Sequence, residues 1–444
     1  MRTTRVRSAA QRPRPTWRGI GIAIAGVIAM VGAAQFGRVD LLVLGLVLVL
    51  LPLAAAIAVT IDRPWISLGR TFESDLVVVG ETANVALVVR NESNRTSPGL
   101  RWRDDCPAPL VAPGFAALPQ LGEHARATRD RSDSTVVRYS IEATARGVYD
   151  VGPLLLERTD PFGLVRCLYA IGASKPLIVV PRALDLTEAE FESSRSEGYE
   201  HELVKQSIPN ADELIAREYR PGDPMRRVHW RATARHDKLM VRQEEPRSNP
   251  ETWVLLDTDS GARADHRHAG SDARNPRFEA AIDLVASIGT HLVGQGFALG
   301  VVETAPIQLL GCAGTARAGI GGLPVAAYDP PGGGQTLLAG LAALEQVPRD
   351  NADSAAVFSA ALRRNPQAVP AFVVVVDGDH DELAAAASLR ILCDPAVAFF
   401  VGERPDLREH YERRGWTCVD VRPGESPAAV WQRLGIEPPT VRRG

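Results

Sequence analysis

Lysine is nearly missing from this 444-residue chain: of 50 basic residues only Lys175, Lys205 and Lys238 are lysine, and all the others are arginine. That imbalance reads as coding bias before chemistry. The formal net charge of −3 lacks the basic excess of a nucleic-acid binder, and no acidic tail accompanies it. Cysteine is scarce too: Cys106, Cys167, Cys312, Cys393 and Cys418 are an odd, scattered set without a CxxC pair. Such a set suits a reducing compartment and excludes a disulfide framework or a cysteine zinc site. There is no P-loop, no HExxH and no nucleophile with a neighbouring base, so the common hydrolase signatures are absent.

Charge is missing from two stretches near the start, Gly19 to Gly37 and Leu41 to Ile61, parted only by Arg38, Val39 and Asp40. About 20 apolar residues at 1.5 Å rise match a hydrocarbon core of roughly 30 Å, where a helix alone satisfies every backbone amide. The pattern predicts a transmembrane hairpin over 19–61, behind a basic arm over 1–18. Arg2, Arg5, Arg7, Arg12, Arg14 and Arg18 crowd that arm, whereas the connecting turn carries Arg38 offset by Asp40. Positive residues stay inside. Two crossings then leave the bulk of the chain on the cytoplasmic side of the cell membrane, with Trp17 and Trp65 at the headgroup layer. A signal peptide over Gly19 to Ala34 is the rival reading.

The segment 66–186 predicts an all-β, sandwich-like domain. In Thr82 to Arg90 the residues Ala83, Val85, Leu87 and Val89 alternate with mostly polar neighbours, and Val137, Tyr139 and Ile141 repeat the pattern. Period two means half-buried strands. Turn formers such as Asn91-Glu92-Ser93-Asn94 and Asp160-Pro161-Phe162-Gly163 punctuate them.

A connector over 187–250 follows, first acidic and then basic. Pro221-Gly222 suits the centre of a type II turn, Asp223 an N-cap and Pro224 a first helical position, which predicts a helix from Pro224 to about His236 and a strand over Leu239 to Arg242. On that helix Arg227, Arg231 and Arg235 stack at i, i+4 and i+8, where like charges cost about 0.2 to 0.5 kcal/mol per pair. An anion must offset them. Internal carboxylates, an acidic partner surface that would also engage Arg220, and a phosphate are the three candidates. His229 and His236 on this segment read as packing or capping residues.

From 251 to 438 apolar strands alternate with helical runs, which predicts an α/β doubly wound parallel sheet with its sites at the carboxyl ends of the strands. Three polar segments are expected there: Asp257-Thr258-Asp259-Ser260-Gly261, Gly332-Gly333-Gly334-Gln335-Thr336 and Asp377-Gly378-Asp379.

This order resembles the von Willebrand factor A domain, in which a DxSxS loop, a threonine and an aspartate hold a divalent cation. The resemblance implies metal ligands at Asp257, Asp259, Thr336 and Asp377, with Mg2+ as the ion. Asp259 and Gly261 stand where that pattern has serines, which implies a degenerate site. The whole order is similar to the bacterial "domain of unknown function 58" family: Arg146-Gly147-Val148-Tyr149, Asp160-Pro161-Phe162-Gly163-Leu164, then Arg217 to Asp223 through His229 to Arg235. That resemblance implies a membrane-anchored interaction or scaffold protein working with a MoxR-type AAA+ ATPase in assembly or chaperone-like activity, with no enzyme activity of its own. Two other classes stay open. One is a metal-dependent phosphoester hydrolase using Asp257, Asp259, Asp377 and Asp379; the other is a structural envelope protein without an ATPase.

Overall fold

The computed structural model describes residues 9–10, 12–61, 63–97, 99–123, 133–184, 186, 216–218, 238, 240–242, 250–260, 274–305, 307–312, 315–318, 324–348, 354–365, 367–377 and 380–434. They divide into two compact units, Met1–Val180 and Pro181–Gly444.

The first unit opens with two short strands, β1 (Ala9–Ala10) and β2 (Arg14–Pro15), and two helices, α1 (Trp17–Phe36) and α2 (Val39–Ile61). Both helices are long and apolar enough to cross a membrane. Thr16 caps α1 by accepting from the Gly19 amide, and Gly37 closes it at φ 64, a left-handed conformation that glycine adopts without strain. The chain then reverses, and the helices meet backbone to backbone. A Cβ on Gly45 would lie 2.7 Å from the Gly26 carbonyl oxygen, and one on Gly26 would lie 2.9 Å from the Gly45 oxygen. Outward side chains such as Ile24, Ile28, Leu44, Leu50 and Leu53 are left exposed.

The remainder of this unit is β-rich. Strands β3 (Ile66–Phe72), β5 (Thr82–Asn91), β9 (Ser134–Ala143) and β7 (Leu110–Val111) form one antiparallel sheet in that spatial order. A second sheet runs β1, β12 (Val165–Ile171), β11 (Leu154–Thr159), β6 (Leu100–Asp104) and β8 (Ala116–Leu118), with β2 also on β12. A third joins β10 (Gly147–Val151), β13 (Lys175–Val180) and β4 (Leu76–Val78). Alternation works as expected: Ala83, Val85, Leu87 and Val89 of β5 turn inward, and with Ile141, Leu154, Leu156 and Leu177 they build one core shared by the three sheets. Within it Asp104 is held by Arg70 (Nη2 at 2.5 Å) and by the Tyr139 hydroxyl at 2.5 Å. Burial and that carboxylate push the Tyr139 phenol well above its ordinary range.

The second unit carries a two-stranded sheet, β14 (Ala216–Glu218) with β15 (Met240–Arg242), and a seven-stranded one. The latter is ordered β18 (Thr315–Ala318), β19 (Pro324–Tyr328), β17 (Ala298–Glu303), β16 (Glu251–Leu256), β20 (Val369–Val375), β21 (Cys393–Phe400), β22 (Thr417–Asp420). Strands β16, β17, β20, β21 and β22 are parallel, as expected. The sheet is nevertheless mixed and not wholly parallel, because β19 runs antiparallel to both of its neighbours, β17 and β18. Both faces are covered. Val254 and Leu256 face a core made with α3 (Pro276–Gly294) and α4 (Gly333–Ala343), while Trp253 and Leu255 face another made with α5 (Ser354–Leu362), α6 (His380–Ala387) and α7 (Pro405–Arg413). Gly300 makes room for Trp253: a Cβ there would fall 2.2 Å from the indole.

Candidate functional site

The carboxyl edge of the large sheet gathers the polar residues. Asp257 follows the last residue of β16 and is fully buried. Its Oδ1 accepts from Thr304 Oγ1 at 3.0 Å and the Asp259 amide at 3.3 Å, and its Oδ2 accepts from the amides of Val376 at 2.9 Å and Asp377 at 3.0 Å. One carboxylate thus ties together the ends of β16, β17 and β20. Thr304 Oγ1 also accepts from the Thr258 amide at 3.0 Å, and Thr258 Oγ1 accepts from Ala305 at 3.1 Å, so the two strand ends are laced in both directions.

Asp377 sits at the rim, its side chain 21% exposed. Arg277 Nη1 is 3.3 Å from Oδ1 and Asn275 Nδ2 is 2.9 Å from Oδ2, while Arg404 Nη2 donates to the Asp377 carbonyl at 2.7 Å. Asn275 does double duty, capping α3 through the Arg277 amide and reaching Gln346 Oε1 at 2.9 Å. Gln346 in turn donates to the Asp259 carbonyl, beside a parallel bridge between Asp259 and Val347.

Thr336 is not in this constellation. Because β19 runs antiparallel to β17, with Leu299 opposite Tyr328, it ends at the amino edge of the sheet, and α4 starts there with Gly333 against Tyr328. Five residues of strand, roughly 16 Å, separate that edge from Asp257. Thr336 Oγ1 instead turns back to the Gly332 carbonyl. The segment that α4 delivers to the Asp257 edge is Gln346 and Val347. Asp379 lies outside the described residues, as do Arg220, Arg227, Arg231, Arg235, the helix expected from Pro224 and its histidines.

These positions do not fit a magnesium ion. A divalent cation in octahedral geometry needs carboxylate lone pairs at 2.0 to 2.1 Å, and both oxygens of Asp257 are already engaged by four donors. Asp377 is neutralised by guanidinium groups, and among the described residues no group of three histidine, cysteine or carboxylate side chains could hold a metal. What the edge can do chemically is hold charge in a fixed pattern.

Sequence reasoning missed Glu303, the last residue of β17. It is 6% exposed and accepts from the amides of Gln308 (3.0 Å) and Leu309 (3.1 Å), starting the turn at Leu309–Cys312. Burial raises its pKa to about 7 against the opposing pull of those amides. Cys106 and Cys393 are free thiols, and burial pushes each up to about 12, which makes them packing residues and poor nucleophiles.

An apolar helical pair, a β-rich region and an α/β unit with a carboxylate-tied edge define the class. Residues 215–379 match the family model described as "Protein of unknown function DUF58". No curated protein matches. Among solved structures, the crystal structure of the CARDB domain of the PF1109 protein in complex with di-metal ions from Pyrococcus furiosus is 16% identical, over 27% of this chain and 90% of that one, at a TM-score of 0.19. The solution NMR structure of the same domain is 15% identical, over 26% and 97%, at 0.18. Cwp6 from Clostridium difficile is 9% identical, over 80% of this chain and 53% of that one, at 0.12. Scores this low assign no fold.

Proposed function

We propose that this chain is a membrane-anchored scaffold facing the cytoplasm, which works with a MoxR-type AAA+ ATPase in assembly or chaperone-like activity and catalyses nothing itself. The observation that carries the reading is the pair α1 and α2, whose outward apolar side chains are exposed although the helices pack on each other. Exposed apolar surface on that scale needs lipid or protein around it. The excess of arginine before α1 favours a cytoplasmic bulk, with both crossings in a multi-pass arrangement.

The strand order of the α/β unit supports a von Willebrand factor A-like reading. The first strand, β16, lies centrally between β17 and β20, the second and third parallel strands, with the antiparallel β19 beyond β17. The partner-binding role of Arg220, Arg227, Arg231 and Arg235 and the ATPase itself come from the DUF58 resemblance and the stacked charges. Co-purification tests this. Full-length tagged chain, extracted from membranes in mild detergent with ATP and magnesium, is expected to bring down a co-expressed MoxR-type ATPase. Recovery of no ATPase in any nucleotide state would overturn it.

A further inference from the structure

The turn Asp160-Pro161-Phe162-Gly163-Leu164 is built onto the start of α1. Thr16, the residue before the helix, donates through Oγ1 to the Gly163 carbonyl at 2.6 Å, and its amide donates to the Leu164 carbonyl at 2.8 Å. Gly19 permits the approach, since a Cβ there would come 2.2 Å from the Leu164 oxygen. On the turn itself Asp160 accepts from the amides of Phe162 at 2.9 Å and Val165 at 2.6 Å, which fixes its shape. Leu164 and Val165 then pack with Ala55 of α2, with Ile22 and Leu51 alongside.

The two helices do not end level. Counting equal steps outward from the Gly26 and Gly45 contact sets Trp17 beside Ala54, so Ala55 to Ile61 continue roughly 10 Å past the start of α1. One face of that extension is covered by protein, with Ala55 and Val59 buried and the Val59 carbonyl accepting from the Tyr169 hydroxyl, while Ile57 and Ile61 on the other face stay exposed. On the face of α2 that carries Ala55 and Val59, contact with the β-rich region therefore begins at about the level of Trp17. Phe162, 66% exposed, precedes Gly163, whose carbonyl accepts from Thr16, and Thr16 precedes Trp17, 89% exposed. Arg14 and Arg18 surround this level with exposed positive charge, and Arg166, opposite Arg14 across β2 and β12, adds to it while its Nη1 lies 3.8 Å from Glu157 Oε2.

We propose that this turn is a second membrane contact, in which Phe162 enters the boundary between headgroups and acyl chains beside Trp17, and Arg14, Arg18 and Arg166 meet anionic lipid phosphates. Aromatic rings favour that layer and arginines next to it attract acidic lipids. The β-rich region is thereby held against the lipid surface by its own turn as well as by the chain connection. The proposal rests on reading α1 and α2 as membrane crossings.

The test uses the full chain in vesicles of phosphatidylcholine and phosphatidylglycerol, with a fluorescent amino acid encoded at one position at a time. Phe162, Leu50 within α2 and Val111 are the positions; Val111 is exposed on β7, roughly 30 Å along the sheet from Ile66. Lipids brominated near the headgroup are expected to quench the Phe162 probe, deeply brominated lipids the Leu50 probe, and neither the Val111 probe. Quenching at Leu50 with a Phe162 probe as silent as Val111 would overturn the turn contact and leave the crossings standing. Silence at Leu50 as well would overturn the crossings themselves.

Discussion

At the scale of single residues, burial decides which carboxylate matters for stability. Asp257 has no exposed surface and accepts four hydrogen bonds, so Asp257→Ala leaves three amides and a hydroxyl without their acceptor. A loss of about 2 to 4 kcal/mol is expected in chemical unfolding of the detergent-solubilised chain. Asp377→Ala breaks a partly exposed pair with Arg277 and is expected to cost less than about 1 kcal/mol. Glu303 sets a pH dependence. Its folded-state pKa stands at about 7 against an ordinary 4.5, so the folded protein holds this proton more tightly than the unfolded chain does. Its contribution is full below pH 4.5 and fades as the pH rises through about 7, a loss of ~3 kcal/mol across the window. Unfolding measured at pH 5 and pH 8 is expected to show a smaller difference in Glu303→Gln than in the parent. The aspartates at the strand ends were legible in the sequence because an apolar run stopping at an acid is a local signal. Their partners Thr304, Asn275, Arg277 and Arg404 were not, since each comes from another element and is an ordinary polar residue in its own neighbourhood.

At the scale of elements, periodicity carried most of the reading. The uncharged runs became α1 and α2, the alternating run became β5, and the continuous apolar runs became β16, β17, β20 and β21. Thr336 shows where local signals stop. Its glycine-rich turn before a helix is real, but the short hairpin of β18 and β19 reverses the chain first and delivers that turn to the opposite edge of the sheet. Nothing in the residues around 332 to 336 encodes the reversal. Helix contact is equally non-local: Gly26 and Gly45 read as two small residues in separate apolar runs, yet their backbones touch. Gly45→Leu is expected to force the helices apart and to cost about 1 to 3 kcal/mol, read as a lower melting temperature in detergent.

At the scale of the whole molecule, the proposed function joins a lipid anchor to a cytoplasmic recognition surface. Arg231→Glu separates the two candidate roles of the arginine motif. Loss of ATPase co-purification with an unchanged melting temperature is expected if that face meets a partner, whereas a lowered melting temperature would assign the arginines to an internal network. Anchoring itself is tested most directly by washing membranes from cells that make the full chain with alkaline carbonate, then with detergent. If α1 and α2 cross the membrane, the chain is expected to stay in the membrane pellet through carbonate and to leave it only in detergent. Release into the carbonate supernatant would contradict it.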